Sequence, residues 1–186
     1  MIKFTLNGKE YEVNAGTTIL EVAREAGITI PTLCHHEELS PYGACRLCLV
    51  EVVKRGWPSI QPACLYPAQE GIEVTTDTER VKSSRKILLE LYLARSPGSY
   101  PIIELAREYG VKNTRFKLKE KSDCILCGLC VRACDEISKR NAISFAQRGS
   151  NRVIVTPFVE LAETCVGCKA CMAVCPTNTI VIDEAD

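Results

Sequence analysis

No apolar run in this sequence approaches the length of a membrane-spanning helix, and the opening MIKFTLNGKE lacks the apolar stretch of a secretory signal. The formal net charge is zero, so overall charge gives no argument for nucleic acid or an acidic membrane surface as a partner. There is no G-x-G-x-x-G and no G-x-x-x-x-G-K-[ST], so no nucleotide-binding loop is visible. These absences lead to the expectation of a cytoplasmic chain that engages neither membrane nor nucleic acid.

What the sequence does hold is cysteine, twelve among 186 residues. In a reducing cytoplasm these are not expected to pair as disulfides. Isolated cysteines often serve as small buried hydrophobes, but these fall into three groups of four, at 34/45/48/64, 124/127/130/134 and 165/168/171/175. Four thiolates are the complement of one tetrahedral zinc or of one iron–sulfur cluster. Once the cysteines are given to metal, no Ser/His/Asp or Cys/His constellation remains, and no residue is assigned a catalytic role.

The sharpest signal is an internal repeat, CILCGLCVRAC (124–134) recurring 41 residues on as CVGCKACMAVC (165–175). In a C-x2-C-x2-C-x3-C run, three closely spaced cysteines wrap three corners of a cubane. The fourth, a helical turn further on, ligates the other cluster. On that logic Cys124, Cys127, Cys130 and Cys175 bind one [4Fe–4S] cluster, and Cys165, Cys168, Cys171 and Cys134 bind a second. Zinc sites more often use two ligand pairs separated by a longer spacer. Gly128 and Gly167 lie inside the loops, where backbone can approach a cluster and donate N–H to sulfur. Pro176 follows Cys175, whereas Asp135 takes the equivalent place after Cys134; Asp135 and Glu136 read as a solvated helix end.

The first group is C-x10-C-x2-C-x15-C, not the plant-type C-x4-C-x2-C spacing. Cys34, Cys45, Cys48 and Cys64 suit a [2Fe–2S] core, with zinc left open by spacing alone. His35 and His36 raise a Rieske-like alternative, but they are adjacent and four cysteines are already available; they read as exposed loop histidines. Arg46 reads as a surface arginine.

IKFTL (2–6) and EYEVN (10–14) alternate around Asn7-Gly8, a hairpin signal. TTILEVAREAG (17–27) reads as a helix, with Thr18 and Glu21 as a capping box and Gly27 as its stop. Leu47–Val53 and segments near 59–64 and 71–75 read as strands, so the first unit is expected to be a β-grasp sheet on one helix. A helix over 76–96 follows, capped by Thr76 with Glu79 and buried through Val81, Ile87, Leu88, Leu91 and Tyr92. Pro101 opens another, which Gly110 ends. VKNTRFKLKEK (111–121), with five basic residues and one acidic, reads as a solvated linker, with a docking strip as the alternative. AISFA (142–146) and TIVID (179–183) read as strands after each cysteine run. The expected class is α+β: a [2Fe–2S] β-grasp domain (1–77), a helical connector with basic linker (78–121) and a bacterial-type 2[4Fe–4S] ferredoxin domain (122–186).

These residues resemble a known family. PTLCHH, SPYGACRLCLVEV and Cys64 resemble the amino-terminal [2Fe–2S] domain shared by the large iron–sulfur subunit of respiratory complex I and by [FeFe] hydrogenases. SDCILCGLCVRACDE, TPF (156–158) and CVGCKACMAVCPT resemble the paired [4Fe–4S] segment of the same proteins. Many relatives carry a further cluster between these domains, bound by one histidine and three cysteines. LARSPGSYPIIELAREYG has neither residue type, with Ser96 roughly where a ligand would fall, so that cluster is expected to be absent. The chain ends at Asp186, before the catalytic domains of those relatives, which suggests a small relay subunit.

The resemblance implies partners: a flavin-containing NADH-oxidising subunit and a further redox subunit in a hetero-oligomer, with ferredoxin as an exchange partner. The complexes in question are NAD(H)-linked transhydrogenases, hydrogenases and formate dehydrogenases, electron-bifurcating ones among them. Two other readings stand beside this one: a free-standing polyferredoxin carrier and a zinc-stabilised interaction module.

Overall fold

The computed structural model describes residues 1–118 and 122–182. It opens with the expected hairpin, β1 (Ile2–Leu6) paired antiparallel with β2 (Lys9–Val13). Asn7 and Gly8 both take positive φ, 49° and 80°, as a two-residue turn matched to strand twist requires. Helix α1 (Ile19–Glu25) begins at the anticipated capping box: Glu21 N donates to Thr18 Oγ1, and Thr18 N donates to Glu21 Oε2 at 2.6 Å. Strands β3 (Leu49–Lys54), β4 (Trp57–Pro62) and β5 (Glu73–Thr75) complete a five-stranded sheet of order β2-β1-β5-β3-β4. β1 and β5 run parallel and the other pairs antiparallel, so the sheet curls around α1 as a β-grasp. Leu6 and Val52 flank Val74 across the register, and all three pack with Phe4, Val50 and α1's Ile19, Leu20 and Val22 in one apolar core.

Helix α2 (Glu79–Arg95) starts later than expected, and its cap is Thr78, whose Oγ1 accepts from Val81 N. Thr76 cannot serve because Asn7 occupies it: Thr76 N donates to Asn7 Oδ1, and Asn7 Nδ2 donates to Thr76 Oγ1. The buried face is also rotated from the apolar stripe expected from the sequence. Val81 and Leu89 are buried, Leu88 and Tyr92 pack partly, and Ile87 and Leu91 are exposed. Arg85 takes the interior position instead, donating to the carbonyls of Leu47 and Leu49 at 3.2 and 2.7 Å. Helix α3 (Tyr100–Glu108) follows with Pro101 in its first turn, and Gly110 at φ 73° ends it.

Residues 111–118 form no regular element, and Val111 is buried, so this end of the linker is not wholly solvated. The remainder of that basic stretch, residues 119–121, lies outside the described residues. Ser122 N donates to Arg95 O, and Arg95 Nε donates to Cys124 O, so the end of α2 seats the start of the first cysteine run. That run forms the short helix α4 (Leu129–Arg132) and a π-helical turn, Ala133–Ile137. Strand β6 (Ser144–Ala146) forms as expected, but its partner is β7 (Val153–Val155), a strand not anticipated from the sequence. TIVID is not a strand over its described part: Thr179 N donates to Cys175 Sγ rather than to a ladder, and residue 183 lies outside the described residues. A short helix, α5 (Ala170–Ala173), carries the second run. Among the described residues no helix is long and apolar enough to cross a membrane.

Candidate metal centres

The first four cysteines are all buried, Cys48 and Cys64 in the β-grasp core and Cys34 and Cys45 in a second apolar core beside it. They fall into two pairs. Cys48 and Cys64 approach sulfur to sulfur at 3.3 Å, and Cys34 and Cys45 are linked by thiol contact and by Cys45 N donating to Cys34 Sγ at 3.3 Å. The contact from Cys45 lowers Cys34 to about 6 and that from Cys64 lowers Cys48 to about 7, while Cys45 and Cys64 are pushed up by the same contacts and by burial. Four gathered thiols match in number the donors that a two-iron rhomb takes.

The second site is a cavity of about 270 Å³ whose walls include Cys124, Cys127, Cys130 and Cys175. Burial raises Cys127 to about 11 and Cys130 to about 12, so in the metal-free state these two remain protonated. The third is a smaller space of about 40 Å³, walled by Cys134, Cys165, Cys168 and Cys171. In both, the fourth cysteine of one run stands with the first three of the other. The reason is local. The π-turn carries Cys134 away from α4, and α5 likewise carries Cys175 beyond its own loop.

Backbone amides are aimed at sulfurs in every site. Leu33 N donates to Cys45 Sγ, Leu126 N to Cys124 Sγ, Ala142 N to Cys134 Sγ and Thr179 N to Cys175 Sγ, all between 3.2 and 3.4 Å. Such N–H···S contacts suit thiolates carrying charge toward iron, so the residues present fit iron–sulfur clusters. Ser138 Oγ also lies 3.1 Å from Cys168 Sγ and lowers that thiol's pKa.

The glycines inside the runs differ. Both take positive φ, but a Cβ on Gly128 would lie 3.1 Å from both Phe145 and Tyr42, whereas Gly167 faces open space. The histidines are half-buried rather than exposed: His36 Nδ1 accepts from Glu38 N, and burial lowers the pKa of His35, whose Nδ1 is buried without a partner among the described residues. Arg46 is exposed, as expected. Glu136 is not simply a solvated helix end, because its Oε2 accepts from Ser40 N at 2.7 Å. Ser96 is fully buried and donates to Ser122 O at 2.7 Å, a structural tie between α2 and the first run.

Sequence reasoning missed the side chains that join the sites. Tyr92 donates to Cys45 O at 2.9 Å, and burial raises its pKa, with the Cys45, Cys34 and Cys127 thiols adding to the shift. Cys34, Cys45 and Cys127 share a second apolar core with Leu89, Ile102 and Leu129, so the first and second sites are neighbours. Arg132 lies in the first run yet reaches back to the Cys34 loop. A lone cation within the otherwise apolar LCVRAC was the available signal.

A β-grasp unit with four buried cysteines, followed by a two-cavity unit with eight, defines an iron–sulfur protein. Residues 1–79 match the family model of a 2Fe-2S iron-sulfur cluster binding domain, and residues 123–183 that of a 4Fe-4S dicluster domain. The chain is 35% identical over 97% of its length to the NADPH-Fe(3+) oxidoreductase subunit alpha of Geobacter sulfurreducens. It is 30% identical over 83% of its length to the mitochondrial NADH-ubiquinone oxidoreductase 78 kDa subunit of Candida albicans. It spans only 24% and 25% of the length of these two curated relatives. A crystal structure of an NAD+-reducing [NiFe]-hydrogenase in the H2-reduced state aligns at a TM-score of 0.83 with 30% identity, covering 96% of this chain and 86% of that one. The chain belongs to the same iron–sulfur family as that hydrogenase chain, and carries a 2Fe-2S domain ahead of a 4Fe-4S dicluster domain.

Proposed function

We propose that this chain is a non-catalytic electron relay subunit of an NAD(H)-linked flavoprotein complex. The observation that carries the reading is the succession of three four-cysteine sites, the first two sharing one apolar core and the last two exchanging their fourth cysteines. Cys34, Cys45, Cys48 and Cys64 would hold one [2Fe–2S] cluster. Cys124, Cys127, Cys130 and Cys175 would hold one [4Fe–4S] cluster, and Cys165, Cys168, Cys171 and Cys134 the other. When bound, such clusters supply one-electron oxidation and reduction. The chain's own residues bring the sulfurs together, aim N–H groups at them, shield most of those at the first two sites from water and leave Cys168 exposed at the third. The working units are 1–77, 78–121 and 122–186. Ser96 supplies no thiolate, and no further cluster is assigned to the connector.

The partners this reading requires are a flavin-bearing subunit that exchanges hydride with NAD(H) and a further redox subunit. The names of the relatives support this: each describes a subunit or enzyme of pyridine-nucleotide redox chemistry. Anaerobic purification with metal and sulfide analysis tests the clusters. The expected content is about ten irons per chain, from one two-iron and two four-iron clusters. Zinc without iron or acid-labile sulfide ends the reading. Size-exclusion of native extract tests the relay role: co-elution with a flavoprotein is expected, and elution alone would indicate a free carrier.

A further inference from the structure

Arg132 belongs by sequence to the first dicluster run, between Cys130 and Cys134, but its guanidinium serves the other unit. Nη2 donates to Cys34 O at 2.7 Å, and Nη1 donates to Ser40 O. The guanidinium also sits over the Tyr42 ring, 5.4 Å from its centroid. Four residues along, Glu136 accepts from Ser40 N. Tyr42 in turn stacks on Phe145 at 6.4 Å, and Arg152 closes the far side, 3.7 Å from the Phe145 centroid with Nη2 donating to Tyr42 Oη. The loop from Cys34 to Tyr42, which has no regular structure, is therefore held by cations and an acid from the dicluster unit. Arg132 Nε is itself buried and has no partner among the described residues.

We propose that Arg132 is a positioning residue for electron exchange, fixing the Cys34 loop to the helix that carries Cys130 and so setting the gap and mutual orientation of the first two cluster sites. This rests on the relay reading above. Electron tunnelling falls steeply with the gap between centres, so a contact spanning the two ligand sets bears directly on it. The hydrogen bond from Arg132 to Cys34 O is such a contact, running from a dicluster run to the carbonyl of a first-set cysteine. The guanidinium also places a positive charge beside Cys34. A cation there favours the more negative, reduced state of whatever Cys34 binds.

The test uses the full-length, cluster-loaded protein and its Arg132→Gln and Arg132→Lys variants, reduced with dithionite and followed by EPR and potentiometry. Arg132→Gln is expected to keep the iron content, to lower the midpoint potential of the two-iron centre, and to weaken severalfold its magnetic interaction with the nearest four-iron centre. Arg132→Lys is expected to recover the potential but not the interaction, because an ammonium cannot reproduce the two-armed hold on Cys34 O and Ser40 O. Unchanged potential and interaction in a fully loaded Arg132→Gln protein overturns the proposal. Should that variant lose its clusters, Arg132→Lys decides alone: an undiminished interaction overturns the proposal and a diminished one supports it. A wild-type protein without clusters would instead sink the relay reading.

Discussion

Cys134 and Cys175 each end a run whose first three cysteines face another cavity, and this exchange is the most specific residue-level feature of the chain. Cys175→Ser should therefore alter the EPR signal of the cluster proposed for Cys124, Cys127 and Cys130 and leave the other unaltered. Cys134→Ser should do the reverse. Spin quantitation of the two signals checks this, and each variant disturbing its own run's cluster would overturn the assignment. The twelve cysteines and their grouping were legible from spacing, because cluster chemistry tolerates few arrangements of thiolates. Arg132, Glu136 and Tyr92 were not, because their partners lie 98, 96 and 47 residues away, beyond the reach of local pattern.

At the scale of elements, α2 holds the first site from behind through a buried cation. Arg85 is 3% exposed, with its Nε and Nη2 on the carbonyls either side of Cys48, Leu47 O and Leu49 O, and Asp77 3.9 Å from its Nη1. Arg85→Ala would leave two buried carbonyls unpaired, at a cost of about 2–4 kcal/mol. The expected outcome is a fall of roughly 5–15 °C in the temperature at which the two-iron chromophore bleaches. Visible circular dichroism during anaerobic melting measures it, and an unchanged midpoint would refute the role. The hairpin and α1 were legible almost to the residue, since Asn7-Gly8 and the Thr18/Glu21 box act locally. The buried face of α2 was not, because an arginine satisfied by carbonyls displaced Ile87 and Leu91 from the interior. β7 was missed for a related reason: Cys175 takes the amide of Thr179, and β6 pairs elsewhere.

For the whole molecule, the two ends differ in what keeps them folded. The β-grasp unit has its own apolar core of sheet and helix. The dicluster unit has helices of four residues and strands of three, and its buried residues lie mostly in 125–133, where they borrow the core of α2 and α3 rather than form one of their own. Helices this short are not stable by themselves, so the clusters are expected to supply much of that unit's folding energy. Removing iron under reducing, chelating conditions should preserve slow amide exchange in β1–β5 and α1 while exchange through 122–182 becomes fast. Mass-spectrometric hydrogen exchange reads this out, and equal protection at both ends after iron removal would contradict it. The sequence by itself determined the class, the grouping of its cysteines in fours along the chain and the first unit's fold, because thiolate spacing, turn chemistry and capping are short-range constraints. Tertiary structure alone decided that the first and second quartets share a core, that α2 buries an arginine, and that a cation of one cysteine run holds the loop of another. Those are packing outcomes between segments far apart in the chain, and no local pattern encodes which of two distant surfaces will meet.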